Sequence, residues 1–173
     1  MTDVSSDDRV AAALRAISLI DLTDLSDDHA HTGIDALCAR ARAHGTAAVC
    51  VWPEHVSRCS SELSGSGVRV ATVVNFPSGE RPLSQVAAMT HGALDDGADD
   101  IDVVLPYRAF LAGDLATAAT MISKVTATVS APRIVKVILE TGALGDADTI
   151  RAAADLAIDN GADFVKTSTG KIP

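Results

Sequence analysis

Ile101-Asp102-Val103-Val104-Leu105 is an apolar run that contains a single carboxylate, and this carboxylate decides between two folds. If the run is a β-strand, side chains alternate between its two faces, so Asp102 shares a face with Asp100 and Val104. A face covered by helices would exclude an unpaired carboxylate, because removing its charge from water is unfavourable. Asp102 therefore predicts a strand face that opens on a functional site.

The next two apolar runs each carry a lysine. Lys136 lies inside the run 133–139 and shares a face with Ile138 and Glu140, while Lys166 ends the run 164–166 on the same face as Phe164. If the three runs are neighbouring parallel strands, Asp102, Lys136 and Lys166 lie on one contiguous wall. Three charges on adjacent strands indicate a site more strongly than any one of them alone.

These strands belong to a regular alternation along the whole chain. The spacing of apolar residues predicts six strands, at 19–23, 47–52, 68–74, 101–105, 133–139 and 164–166. It predicts helices at about 7–19, 29–44, 54–64, 82–96, 113–130 and 146–160. The first helix is expected to pack through Val10, Ala13, Leu14 and Ile17, and Ser26-Asp27-Asp28 is expected to be a turn or cap before the second. Asp-Gly-Ala-Asp at 96–99 and Asn-Gly-Ala-Asp at 160–163 each precede a strand, which indicates a repeated β/α unit.

Alternating strands and helices predict an α/β fold with a parallel sheet, either doubly wound or a (β/α)8 TIM barrel. A doubly wound sheet usually has a glycine-rich first turn, but the sequence at the first strand, Asp21-Leu22-Thr23-Asp24, differs from G-x-G-x-x-G. In a barrel, the interior at the carboxyl ends of the strands opens on the active site, which suits the three strand charges. We therefore predict a single domain over residues 1–173, an incomplete barrel of strands 1–6 with their helices.

Composition excludes several classes of protein. The hydrophobic content of 47% suits one sizeable core, and the net charge of −9 argues against non-specific nucleic-acid binding. Residues 1–9 lack the order of a signal peptide, and no apolar run approaches the length of a membrane span, so we expect a cytoplasmic protein without membrane contacts. The three cysteines lack metal-site spacing and are expected to be reduced, small hydrophobic residues.

Lys166 suits covalent chemistry with a carbonyl. Burial beside apolar neighbours lowers the pKa of a lysine, as a Schiff-base lysine requires, and a nearby carboxylate can move protons. Thr169-Gly170-Lys171 follows at once and offers close backbone approach and a cation to a phosphate. Two alternatives stay open at this point: Lys166 extending into solvent, and Asp102 with Lys136 forming a purely structural ion pair.

Four segments together resemble the deoxyribose-phosphate aldolases. They are Asp163-Phe164-Val165-Lys166-Thr167-Ser168-Thr169-Gly170-Lys171, Ile101-Asp102-Val103-Val104-Leu105-Pro106-Tyr107-Arg108, Val135-Lys136-Val137-Ile138-Leu139-Glu140-Thr141-Gly142 and Val73-Val74-Asn75-Phe76-Pro77. They occur in the family's order and spacing, and the resemblance runs from about Leu14 to the last residue.

The resemblance implies a class I aldolase that needs neither metal nor cofactor. It would cleave 2-deoxy-D-ribose 5-phosphate reversibly to glyceraldehyde 3-phosphate and acetaldehyde, in deoxyribonucleotide and carbohydrate catabolism. Three residues match catalytic positions of the family, namely Lys166 as the Schiff-base lysine, Asp102 in the proton relay and Lys136 in the same pocket. Six match substrate-binding positions, namely Asp21, Thr23, Cys50, Thr169, Gly170 and Lys171.

The resemblance also implies a longer protein. Family members continue into a seventh strand with a second catalytic lysine and an eighth strand that holds the phosphate, so a C-terminally truncated sequence is expected and the activity of this chain alone is an open question. The alternatives are an inactive barrel remnant that binds a sugar phosphate or a partner, and another lysine-dependent barrel aldolase. A homodimer is a further expectation.

Overall fold

The computed structural model describes residues 5–27 and 31–172. Six strands form one sheet, β1 Asp21–Asp24, β2 Ala48–Val51, β3 Arg69–Val74, β4 Asp100–Val104, β5 Ile134–Ile138 and β6 Phe164–Lys166. All five neighbouring pairs are parallel, and the strands follow one another in chain order. A doubly wound sheet would have a crossover in this order, so the barrel prediction is confirmed for the six strands.

Helices connect successive strands. They are α1 Ser6–Ile17, α2 His31–His44, α3 Val56–Glu62, α4 Leu83–Asp95, α5 Tyr107–Leu111, α6 Leu115–Thr128, α7 Thr141–Leu144 and α8 Ala147–Asp159, with a 3-10 turn at Pro53–His55. The predicted helices are confirmed within a few residues, except that Asp28 and the predicted beginning of α2 at residue 29 lie outside the described residues. The two short helices α5 and α7 were not predicted, because each has too few residues to show a helical period.

The repeated β/α unit has a structural basis at its final aspartate. Asp99 accepts a hydrogen bond from the backbone N–H of Val70 at 2.9 Å, and Asp163 accepts one from Val135 at 2.8 Å. In both cases the aspartate also donates its own backbone N–H to the carbonyl of that same residue. Each aspartate thus fixes the beginning of its own strand against the beginning of the preceding strand.

Burial falls from the centre of the sheet to its edges. The strands β2, β3, β4 and β5 are buried along almost their whole length, as expected for parallel strands covered on both faces. β1 is only partly buried, and β6 exposes Phe164 by 58%. β1 and β6 are therefore the two edges of the described sheet.

The first helix corrects one prediction. α1 begins with the Ser5 side chain accepting the backbone N–H of Asp8 at 3.1 Å, but no residue of this helix is buried. Val10 and Leu14, which were expected to pack, are mostly exposed. Helical periodicity identified the helix correctly, but it cannot show whether an apolar side has a partner.

Every helix in the described part of the chain is too short or too polar to span a lipid bilayer.

Candidate active site

The register of the sheet brings the strand charges together. Asp102 on β4 lies directly opposite Lys136 on β5, and Lys166 on β6 lies opposite Ile138, two residues further along β5. Because side chains repeat every second residue along a strand, all three charges face the same side of the sheet. The predicted wall of charges is present.

Lys166 ends between two carboxylates. Its Nζ atom lies 2.6 Å from Oδ2 of Asp102 and 3.4 Å from Oδ2 of Asp21. Asp102 is fully buried, whereas the Lys166 side chain is 30% exposed. The amine therefore has one side against buried acid and another side open to an incoming molecule.

Lys136 lies deeper and contacts three carboxylates. Its Nζ atom lies 2.8 Å from Asp100, 3.0 Å from Asp21 and 3.3 Å from Asp102. Asp21 belongs to β1, four strands away from β5, and in a flat sheet the two strands would be about 19 Å apart. The contact between Asp21 and Lys136 is thus direct evidence that the sheet curls into part of a barrel.

Two further residues of this cluster were not singled out as site residues. Asp100 lies at the beginning of β4, and Arg69 at the beginning of β3 donates to it from Nε at 2.7 Å. The cluster then contains three carboxylates and three cations, so their formal charges cancel. The signal for Asp100 was available, since it shares the face of Asp102 by simple alternation. Arg69 gave no such signal because its partner, Asp100, lies thirty-one residues away in sequence.

The expected lowering of the Lys166 pKa is wrong for the ligand-free chain. Burial does lower the pKa of Lys166, but the negative charge of Asp102 and the hydrogen bond to it raise the pKa by more, with smaller contributions from Cys50 and Asp21. The net direction is upward. The sequence predicted burial beside apolar neighbours; the structure gives Lys166 a partly open position and a second carboxylate, Asp21, beside the predicted Asp102.

The partners of Lys166 respond to the same balance of burial and charge. Burial lowers the pKa of Lys136, yet its contacts with Asp102, Asp100 and Asp21 outweigh burial and raise the pKa. Burial raises the pKa of Asp102 despite the opposing attraction of Lys136 and Lys166. Asp102 is therefore a more basic carboxylate than one in water.

The predicted pocket-wall residues lie beside this cluster. Asp21 and Thr23 are two residues apart on β1, so their side chains share one face of the strand. The Thr23 hydroxyl donates to the backbone carbonyl of Asp21 at 3.0 Å. Cys50 lies opposite Thr23 on β2 and is buried. Burial, followed by the charge of Asp102, raises the pKa of Cys50 to about 12, so its thiol is protonated at neutral pH.

The predicted phosphate loop follows β6. Thr169 accepts the backbone N–H of Lys171 on its Oγ1 at 3.1 Å, and Gly170 between them has a left-handed backbone with φ of 72°. Lys171 reaches Asp27, in the loop after β1, at 3.1 Å. The loop therefore lies at the carboxyl ends of the strands, on the same side as Lys166.

Among the described residues, no three His, Cys, Asp or Glu side chains are placed so that they could hold a metal ion.

Comparisons with known proteins agree with this geometry. The sequence model of the DeoC/LacD family of aldolases matches residues 15–172. A curated deoxyribose-phosphate aldolase from Agrobacterium fabrum is 49% identical over 167 residues, which are 95% of this chain and 64% of that protein.

Solved structures give the same result. A Coccidioides immitis protein assigned as a deoxyribose-phosphate aldolase superposes with a TM-score of 0.86 at 34% identity, over 92% of this chain and 62% of that one. The deoxyribose phosphate aldolase of Aeropyrum pernix, whose structure is tetrameric, superposes with a TM-score of 0.85 at 29% identity, over 95% and 68%. The chain thus spans a little under two thirds of the length of the Agrobacterium and Coccidioides proteins.

Proposed function

The chain belongs to the DeoC/LacD family of aldolases, and we propose that it cleaves 2-deoxy-D-ribose 5-phosphate reversibly to D-glyceraldehyde 3-phosphate and acetaldehyde. The observation that carries this proposal is the position of the Lys166 amine, 2.6 Å from a fully buried carboxylate and partly open at the carboxyl end of its strand. A lysine in this setting can form an imine with an aldehyde, provided that a neighbour accepts its proton.

Asp102 is the neighbour that we assign to this proton. The raised pKa of Lys166 means that the resting amine is protonated, and the short hydrogen bond to Asp102 provides a direct path for the proton to leave. The raised pKa of Asp102 makes this carboxylate a better base than an exposed aspartate. After the neutral amine adds to the aldehyde, the same carboxyl group can return its proton to the carbinolamine oxygen, which leaves as water.

The imine then allows the carbon–carbon bond to break. The protonated imine draws electrons from the bond between the second and third carbons of the sugar, and Asp102, ionised again after water has left, accepts the proton of the third-carbon hydroxyl and later returns it to the enamine carbon. Glyceraldehyde 3-phosphate leaves, and the electron pair of the broken bond remains as an enamine on Lys166. Protonation of the enamine carbon and hydrolysis of the imine release acetaldehyde and restore the lysine.

The other site residues support substrate binding. We assign Lys136 to holding Asp21 and Asp102 in position, because it contacts both. We assign Thr169, Gly170 and Lys171 to the phosphate, because a chain with a net charge of −9 needs a local cation to attract one. We assign Asp21, Thr23 and Cys50 to the wall around the short aldehyde.

We place the reaction in the cytoplasm, because a phosphorylated deoxy sugar does not cross a membrane unaided. The proposed substrate places it in the breakdown of deoxyribonucleotide sugars. Assembly as a homodimer stays a prediction.

A substrate panel tests the proposed reaction. Release of acetaldehyde from 2-deoxyribose 5-phosphate is measured beside other phosphorylated sugars that an aldolase can cleave. We expect cleavage of the deoxy sugar in preference to the others, loss of cleavage in Lys166→Met, and normal cleavage in Lys124→Met. Lys124 is an exposed lysine on α6, so it controls for the loss of one charge. Equal activity in the two variants would contradict the assignment of Lys166, and preference for another sugar would contradict the substrate.

A further inference from the structure

Glu140 is a buried carboxylate that the proposed reaction does not use. It lies two residues beyond the end of β5 and is 2% exposed. Its backbone is left-handed with φ of 59°, a conformation that residues other than glycine and asparagine seldom adopt. Glutamate is almost never fully buried unless it has a partner, so both observations require contacts that hold this residue in place.

These contacts lead to the predicted phosphate loop. Oε2 of Glu140 accepts the backbone N–H of Thr169 at 3.1 Å. On either side of Glu140, the backbone N–H of Leu139 donates to the carbonyl of Lys166 at 2.9 Å, and that of Thr141 donates to Thr167 at 2.8 Å. The Glu140 side chain thus continues the hydrogen bonding of β5 with β6 beyond the end of the strand.

The connection continues to the cation of the loop. Thr169, whose N–H is held by Glu140, accepts the backbone N–H of Lys171 on its hydroxyl. A hydrogen bond to an ionised carboxylate is about twice as strong as a neutral one. Glu140 therefore fixes Thr169, and Thr169 in turn fixes the backbone that carries Lys171.

We propose that Glu140 is a positioning residue for phosphate binding, and that it acts by ordering Thr169-Gly170-Lys171 without touching the ligand. This inference rests on the proposed function, because it concerns the phosphate end of the same substrate. Direct contact is excluded on charge grounds, since two anions repel one another. The consequence is specificity: Glu140 favours substrates that carry a phosphate and has little effect on the imine chemistry at Lys166.

Two variants separate the carboxylate from the backbone. Glu140→Gly removes the side chain and keeps the left-handed backbone, which glycine adopts without strain. Glu140→Gln keeps a hydrogen-bond acceptor and removes the charge. Glu62→Gln on the exposed end of α3 is the matched control.

The kinetic readout is the comparison of KM with kcat. We expect Glu140→Gly to raise KM for 2-deoxyribose 5-phosphate roughly tenfold or more, as for loss of a hydrogen bond to a charged group, with Glu140→Gln intermediate. The kcat value, and kcat/KM for 2-deoxyribose without phosphate, should stay within about twofold of the wild-type values. The reason is that Glu140 does not contact the reacting atoms, so its loss should not change the chemical step. Equal losses for the two sugars would overturn the inference.

Two measurements on the ligand-free chain keep the inference separate from the proposed reaction. Calorimetric titration with inorganic phosphate should show weaker binding by Glu140→Gly than by the wild type or Glu62→Gln, and the amide of Thr169 should exchange with solvent faster in Glu140→Gly. If the wild type fails to cleave the sugar but both differences are found, the reaction is wrong and the positioning role stands. Unchanged phosphate affinity, no detectable phosphate binding by the wild type, or unchanged exchange at Thr169 would overturn the positioning role, whatever the activity.

Discussion

The ion pair between Asp102 and Lys166 should couple strongly in a double-mutant cycle of unfolding free energies. The cycle consists of Asp102→Asn, Lys166→Met and the double variant. Asp102→Asn leaves Lys166 with Asp21 alone, at 3.4 Å, and Asp21 is already shared with Lys136 at 3.0 Å. Lys166→Met leaves Asp102 with Lys136 at 3.3 Å. Each single change therefore leaves the remaining charge with one more distant partner that is shared with another ion pair.

The magnitude follows from burial. Removing one partner of a buried pair destabilises by about 3–5 kcal/mol, because the other charge is left without compensation. Lys166 is 30% exposed and water can solvate part of its charge, so we take the lower end, about 3 kcal/mol, for Asp102→Asn. For a chain of this size that lowers Tm by about 6–12 °C. The double variant leaves neither charge, so its loss of unfolding free energy should be about 2 kcal/mol smaller than the sum of the losses in the two single variants.

Urea unfolding at pH 7, followed by circular dichroism, provides the free energies for the cycle. Asp35 and Arg58 form a control pair with bidentate contacts at 2.6 Å but with both side chains more than 40% exposed. Solvent screens such a pair, so its coupling should be much smaller. Additive effects of Asp102→Asn and Lys166→Met, or coupling no larger than that of the control pair, would refute the view that these two charges depend on each other.

Two other predictions concern pH and packing. The pKa of Lys166 is raised above its ordinary value of 10.5, so its ion pairs stabilise the fold fully below pH 10.5. The coupling with Asp102, measured by the same cycle of unfolding free energies, should disappear as pH rises through the raised pKa. Coupling that persists far above this pKa would contradict the upward shift. A Cβ atom at Gly79 would lie 2.5 Å from the Leu105 carbonyl oxygen on a backbone with φ of 73°, so Gly79→Ala should destabilise by about 2 kcal/mol or more in thermal unfolding. Gly92 lies on the exposed side of α4, and a Cβ atom added there would have no neighbour within 4 Å, so Gly92→Ala should stabilise by about 0.5–1 kcal/mol. If Gly92→Ala were the less stable of the two variants, local space would not govern these sites.

The parts of the site that follow strand alternation could be predicted from the sequence. Period-two alternation placed Asp102, Lys136 and Lys166 on one face, and the apolar runs placed that face inside a parallel sheet. Contacts between distant segments could not be predicted in this way. The meeting of Asp21 with both lysines depends on the curl of the whole sheet, which no local pattern records.

The predicted direction of the Lys166 pKa shift was wrong because it, too, depends on contacts between distant segments. The sequence prediction rested on burial beside apolar neighbours. The shift depends on how many carboxylates reach the amine and how much solvent remains, and both are set by the curl of the whole sheet. The left-handed backbone of Glu140 could not be predicted either, because the sequence alone gives no reason for a glutamate to adopt this conformation.

The most direct test of the central claim, that Lys166 is the nucleophile, is to identify which lysine acetaldehyde modifies. The chain, completed by the seventh and eighth β/α units that the family resemblance implies, is incubated with acetaldehyde, any imine is reduced with borohydride, and the modified peptide is identified by mass spectrometry. We expect the added ethyl group on Lys166 in the wild type, in Lys124→Met and in Lys171→Met, and no stable adduct at the site in Lys166→Met. An adduct on Lys136 or Lys171 with Lys166 unmodified, or normal trapping by Lys166→Met, would contradict the claim.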